Sequence, residues 1–269
     1  MEALRQVDAW SGAEAAVGVA SAERVLAIRG PGAEVRRSAS VTKPAVALAV
    51  LVAAEEGVVD LGQPAGPPGS TLRHLLAHAS GLPPEAGPPI ARPGERRIYS
   101  NAGFEAAADT VAAGAEMSFE EYFRDAVVEP LGLSGELRGS PASGYEGPLD
   151  DLLALGRELL APKLIAPETL AEATSVAFPG LVGVLPGFGR QDPNDWGLGF
   201  ELRDDKSPHW TGSRNSPRTF GHFGQTGTFL WVDPDAGLAC TCLSEREFGD
   251  WAKEAWPRLS DAVLAEAAA

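Results

Sequence analysis

Two apolar stretches near the N-terminus, A-A-V-G-V-A-S (Ala15–Ser21) and R-V-L-A-I-R-G (Arg24–Gly30), flank a tight polar turn and predict a β-hairpin. Strand character returns late, in W-G-L-G-F-E-L (Trp196–Leu202), Q-T-G-T-F-L-W-V (Gln225–Val232) and G-L-A-C-T-C-L (Gly237–Leu243). The last two flank D-P-D-A, a turn sequence that joins them as a second hairpin. Between these ends the periodicity is helical. P-A-V-A-L-A-V-L-V-A-A-E-E-G, from Pro44, is apolar on every side, which predicts a buried helix ending at Gly57. Helical spacing continues in T-L-R-H-L-L-A-H from Thr71, in Asn101–Ala113 and in F-E-E-Y-F-R-D-A-V from Phe119. Leu149–Leu160 and Ala166–Thr174 follow, and an amphipathic helix near Phe248–Ala268 closes the chain. A further short helix is expected in the first residues.

Strands at both ends with helices between them predict an α/β (α+β) fold. The two ends pair into one antiparallel sheet flanked by N- and C-terminal helices, and the middle forms an inserted, mainly helical subdomain. The expected division is 1–62 with 203–269 for the sheet-bearing part and 63–202 for the helical part, within a single domain. A cleft between the two parts is the natural place for a site.

Composition removes several classes of function. At 269 residues, 44% hydrophobic and 22% charged, the chain has the make-up of a globular protein with a substantial core. A formal net charge of -15 argues against nucleic acid and against anionic membranes as partners. No run approaches the roughly 20 apolar residues that span a bilayer. The first ten residues lack a basic segment followed by an apolar one, so no signal peptide is expected and the location is read as cytoplasmic. Cys240 and Cys242 are expected to be free thiols on one face of a strand, as suits a reducing compartment. No cofactor and no metal is expected.

Three short patterns carry chemistry. In S-V-T-K, Ser40 lies three residues before Lys43 at the expected start of a helix, so both side chains can meet on one face. A lysine with a lowered pKa can take a serine proton, and the helix start offers an N–H for a developing oxyanion. The same serine can equally be a helix cap with a lysine nearby. In Y-S-N, Tyr99 and Asn101 can aim a phenol and an amide at one neighbour. Tyr99 would relay a proton, the more readily if Lys43 held its pKa below the usual 10, while Asn101 would bind Lys43 and a substrate carbonyl; otherwise Asn101 caps a helix. In H-F-G, His222 would position substrate and Gly224 would let it approach the backbone, leaving the Gln225 N–H as a second oxyanion donor beside that of Ser40.

With these three patterns in this order, the chain resembles the penicillin-recognising serine hydrolases. The closest branch is that of class C β-lactamases, serine D-Ala-D-Ala carboxypeptidases and β-lactamase-fold esterases. The resemblance runs from about Ala15 to Glu245 and includes R-S-A-S-V-T-K-P, L-R-H-L-L-A-H-A-S-G-L-P, P-G-E-R-R-I-Y-S-N-A-G-F, V-V-E-P-L-G-L and G-H-F-G-Q-T-G. It implies that Ser40 is the acylated nucleophile, that Lys43 and Tyr99 manage its proton, and that Asn101, His222 and Gly224 bind substrate. It also implies a small-molecule ester, amide or β-lactam as substrate. Two features depart from the family pattern: β-lactamases typically carry lysine where this chain has His222, and the chain is short. The expected activity is therefore esterase-like, with a D-aminopeptidase, a D,D-carboxypeptidase or a weak β-lactamase as alternatives, and a non-hydrolytic sensor domain as another.

Other polar residues are read as structural. His74 and His78 have metal-like spacing but no third ligand, so they are placed in a turn. His209 and Trp210 are assigned to a solvent-exposed loop before the third motif, with lining of the cleft as the alternative, and Trp196 to strand packing. Asp150, Asp151, Glu55 and Glu56 are assigned to solvated helix faces.

Overall fold

A computed structural model describes residues 1–10 and 14–269. Its centre is a six-stranded antiparallel sheet made from both ends of the chain. The strands are β1 (Ala15–Ala20), β2 (Val25–Arg29), β3 (Glu201–Leu202), β4 (Phe220–Gly224), β5 (Thr228–Asp233) and β6 (Leu238–Ser244), in the spatial order β2-β1-β6-β5-β4-β3. The two ends are joined by the β1–β6 pairing, in which Val17 lies opposite Cys242. Every residue of β1, β5 and β6 is buried, so these strands read as continuous apolar runs rather than alternating ones.

The four long helices are α1 (Thr42–Glu55), α2 (Asn101–Ala115), α3 (Leu149–Leu160) and α4 (Asp250–Ala267), and α2 packs against α1. The strand period of two sends Val17, Val19, Phe229, Trp231, Cys240 and Cys242 to one face, against Trp256, Leu259 and Val263 of α4. The N-terminal 3-10 helix, Glu2–Ala9, packs on the same side. Ala16, Leu230, Ala239 and Leu243 face the other way, toward α3 and α1. Although α3 falls in the 63–202 stretch, it packs on β1, β5 and β6. Gly18 and Gly156 allow this close approach, since a Cβ at either would come within 2.8 Å of Leu153 or Ala239. Cys240 and Cys242 are buried, unpaired thiols. The apolar helix expected after Ser40 is α1, and its residues Thr42–Ala53 are buried on all sides.

Two strand expectations are corrected. Only Glu201 and Leu202 of the Trp196–Leu202 stretch join the sheet. Gly199 has φ +90°, and its Cα lies so close to α1 that a Cβ would meet Ala47 Cβ at 2.1 Å, so the chain bends there instead of extending. Gln225–Gly227 is a turn rather than the start of a strand, and His222–Gly224 instead ends a strand of its own, β4. Among the described residues, no helix is long and apolar enough to cross a membrane.

Candidate active site

Ser40 lies inside a 3-10 turn, Ala39–Val41, that runs directly into α1. It is not a cap. Val41 occupies the residue before α1, while the Ser40 Oγ accepts a hydrogen bond from the Tyr99 hydroxyl at 2.6 Å. Asn101 is likewise not a cap: Ser100 accepts from the Gly103 N–H and closes the start of α2. The turn after β4 and the start of β5 hold the Ser40 turn in place. The Thr228 hydroxyl donates to the Ser38 carbonyl at 3.2 Å, and that of Thr226 donates to the Arg37 carbonyl at 3.1 Å. Ala39, just before Ser40, has φ +44°, a left-handed conformation that costs a non-glycine residue about 1 kcal/mol or more.

Gly224 serves this packing. A Cβ there would stand 2.8 Å from the Ser38 carbonyl oxygen and 3.0 Å from Ala39 Cβ. The space expected for substrate at Gly224 is thus filled by the chain's own backbone. Gly224→Ala must push the Ser40 turn outward, and a displacement approaching 1 Å lowers rates by about 10²-fold. The expected outcome is a loss of kcat/KM of about 10- to 100-fold with a lowered melting temperature. Unchanged kinetics would show that the turn is not set by this contact.

Lys43 is completely buried. Its Nζ lies 2.7 Å from the Tyr99 hydroxyl, 2.7 Å from Asn101 Oδ1, 2.9 Å from the Ala142 carbonyl and 3.3 Å from Ser40 Oγ. No carboxylate is among these partners. Burial brings the ammonium down to a pKa of about 7, against an upward pull from Glu85 and Glu105. Asn101 Oδ1 and the Ala142 carbonyl can only accept, so they fix two of the N–H bonds. When Lys43 is neutral, its lone pair is left facing the Tyr99 and Ser40 hydroxyls.

Burial pushes the Tyr99 phenol upward, the reverse of the lowered pKa expected from a neighbouring lysine. Lys43 gives no stabilising charge to a phenolate when it is itself neutral. The Tyr99 ring is held by His78, Trp196 and His222, at centroid distances of 4.8, 6.0 and 5.7 Å. His78 has φ +55°, and its Nδ1 accepts the Ser100 N–H at 3.0 Å, which locks the Tyr99–Asn101 segment from behind.

His222 is not placed as expected. Its side chain belongs to a residue only 3% exposed, and Nδ1 donates to the Phe223 carbonyl at 2.7 Å. That bond fixes the tautomer and leaves a buried Nε2 without a partner among the described residues. Burial and then Lys43 lower its pKa to about 3, so the ring is neutral near pH 7. Asn101 also differs in part: Oδ1 holds Lys43, but Nδ2 donates to Glu85 Oε1 at 2.8 Å. Gln225 is exposed at the turn beyond Gly224.

Glu85, His78 and the Ala142 carbonyl were not singled out from the sequence as site groups. Glu85 lies in a Pro/Gly-dense loop, and a carbonyl carries no sequence signal. His209 is neither exposed nor in the cleft. It is buried with Trp210, and both bond Glu201 Oε2, while Lys206 holds Glu201 Oε1 at 2.5 Å. His74 is used in a capping box with Thr71. Asp151 is a buried tie to the Ser134 and Gly135 N–H groups rather than a solvated acid.

Two clefts adjoin this cluster. One, about 800 Å³, is lined in part by Asn101, Glu85, Glu105 and Asp109. The other, about 670 Å³, has Tyr99 in its wall.

A helix-borne serine, a buried lysine and a bridging tyrosine beside an antiparallel sheet define a β-lactamase/transpeptidase-type serine hydrolase. Residues 8–264 match the family described as Beta-lactamase, and the chain belongs to that family. A β-lactamase (Mb2281c) from Mycobacterium bovis is 53% identical over 98% of this chain and 99% of its own, with a TM-score of 0.97. EstCE1, described as a hydrolase with promiscuous acyltransferase activity, is 19% identical, covers 97% and 98% of the two chains and has a TM-score of 0.78. A penicillin-binding protein homologue from Caulobacter crescentus is 16% identical over 98% and 96%, also with a TM-score of 0.78. These last two show likeness of fold. No curated protein matches the chain.

Proposed function

We propose that the protein is a serine hydrolase that forms a covalent acyl-enzyme with a small-molecule ester or amide, esters being preferred. The observation that carries this reading is the continuous hydrogen-bonded path from Ser40 Oγ through the Tyr99 hydroxyl to Lys43 Nζ. As Oγ attacks the carbonyl carbon, its proton moves to the Tyr99 oxygen while the Tyr99 proton moves to neutral Lys43. Tyr99 passes the proton in one motion, so its raised pKa is no obstacle. The Ser40 and Gln225 N–H groups receive the oxyanion. The leaving group takes its proton back along the same path, and water repeats the sequence to release the acid.

His222 favours a substrate without a carboxylate at that position. A neutral, buried imidazole whose free nitrogen is a lone pair offers an anion no attraction. β-Lactams and D-Ala-D-Ala peptides carry such a carboxylate; simple esters do not. A second reading, D-aminopeptidase-like, draws support from the acidic cleft beside Asn101, which suits an amine-bearing acyl group. The test is a steady-state panel of short-chain p-nitrophenyl esters, D-amino-acid amides and nitrocefin. The expected order puts kcat/KM for esters at least about 10²-fold above nitrocefin. Amides in first place would favour the second reading, and nitrocefin in first place would overturn the preference for esters.

A further inference from the structure

We infer that the cleft walled by Tyr99 seats the departing alcohol, so that the enzyme selects esters of apolar alcohols. This rests on the acyl-enzyme reading above and extends it to substrate class. In acylation the Ser40 Oγ–C bond forms and the C–O bond to the alcohol breaks, and the proton lost by Ser40 must end on the alcohol oxygen. Among the described residues, the Tyr99 hydroxyl is the oxygen donor bonded to both Ser40 Oγ and Lys43 Nζ. The departing oxygen must therefore come within reach of Tyr99, and what is attached to that oxygen extends along the Tyr99 side of the site.

The surface on that side is apolar. Pro84, Ile90, Ile98, Val184 and Pro186 join Tyr99 in walling the cleft of about 670 Å³. Ile90 is 52% exposed and Val184 59%, although large aliphatic side chains are mostly buried elsewhere in the chain. They come from separate segments and meet only across this hollow, whose hydrocarbon walls gain by covering with more hydrocarbon. Arg96 and Arg190 edge the cleft but are engaged, with the Ile90 carbonyl and with Asp192.

The walls are also fixed relative to the reacting groups. The Arg97 N–H donates to the Val182 carbonyl at 2.9 Å, two residues before Tyr99. The Pro84 carbonyl accepts the Asn101 N–H at 2.8 Å, two residues after it. A preformed wall of this kind turns alcohol size directly into binding of the acylation transition state. The cleft on the Asn101 side carries three carboxylates instead, so the apolar preference belongs to the alcohol and not to the acid.

The experiment uses two ester series on the intact protein: acetates of methanol, butanol and hexanol, and methyl esters of acetic, butyric and hexanoic acids. The alkanols differ little in acidity, so their reactivity is nearly constant and size is the variable. All acetates pass through the same acetyl-enzyme, so the alcohol acts on kcat/KM for acylation and leaves deacylation unchanged. The expected result is a rise in kcat/KM of about two- to fourfold per alcohol methylene, steeper than any rise with acid length. Val184→Asp and Ile90→Ser should each cut the hexyl-to-methyl acetate ratio at least about fivefold. Both positions are more than half exposed, so these variants should keep their melting temperature. A steeper dependence on the acid, or ratios unmoved in both variants, overturns the assignment. Fluorophosphonate labelling separates the two levels. A wild type that is not labelled at Ser40 refutes the acyl-enzyme reading, whereas a labelled enzyme with a flat alcohol series refutes only this one.

Discussion

Ser40→Ala is expected to lower kcat/KM for a short-chain p-nitrophenyl ester by at least about 10⁴-fold and to abolish labelling by a fluorophosphonate. The size of the effect follows from there being no substitute for the Oγ at the end of the Tyr99–Lys43 path. Fold stability should fall only slightly. The Ser40 side chain caps no helix, and the Tyr99 hydroxyl keeps its 2.7 Å contact with Lys43 when Oγ is removed. The Tyr99 O–H loses its acceptor at Oγ, a cost of about 1 kcal/mol that is too small to unfold the chain. A folded Ser40→Ala protein that still turns over ester would place the nucleophile elsewhere, and the acyl-enzyme reading would fall with it. Loss of turnover together with loss of folding would not be read from Ser40→Ala alone, and Ser40→Cys, which keeps a nucleophile of similar size, then decides: it should still be acylated by the ester, with slower release.

How much of this was legible in the sequence depends on distance along the chain. The hairpins and the all-apolar α1 are local patterns, and each shows in the period of its own segment. The pairing of β1 with β6 could be expected because both ends read as strands with helices between. Ser40, Lys43, Tyr99 and Asn101 stand out because scarce residue types recur in short motifs, and the structure brings their polar atoms together. What failed was environment. His222 looks like a site histidine, but its burial is made by Tyr99 and Trp196, more than 20 residues away in each case. Gly224 looks like a place for substrate, yet the Cβ it lacks would strike Ser38 and Ala39, a contact between opposite ends of the chain. Glu201 ends an expected strand and Lys206 belongs to no motif, yet the two form a buried pair sealed by His209 and Trp210. In each case the residue type was clear and the neighbours that set its role were not.

Lys43→Met is expected to lower kcat/KM by at least about 10³-fold, within the range set by losing a general base and part of the preorganised site. The pH profile of the wild type should identify the group before any variant is made. Lys43 acts as a base only when neutral, and its pKa of about 7 means that activity rises with pH, is half-maximal near pH 7 and falls about tenfold per unit below about pH 6. An unperturbed lysine, at 10.5, would leave about one molecule in three thousand competent at pH 7. Stability gives a second, independent reading of the same shift. The folded pKa lies below the unfolded one, so between about pH 7 and 10.5 the unfolded chain holds the extra proton. Stability must then rise with pH across that window, and Lys43 contributes about 2 kcal/mol of that rise between pH 7 and 9. Urea unfolding of wild type and Lys43→Met at those two pH values isolates the contribution, since other titrating groups cancel in the difference. The methionine variant should lack that rise even if the four oxygen atoms left by the amine lower its stability overall. An activity profile with no acid limb near pH 7, or equal pH dependence of stability in the two proteins, would mean that Lys43 is charged when the enzyme works. The proton of Ser40 would then need another acceptor, and the other titratable groups against Tyr99 among the described residues, His78 and His222, are both held well below the usual histidine range by burial.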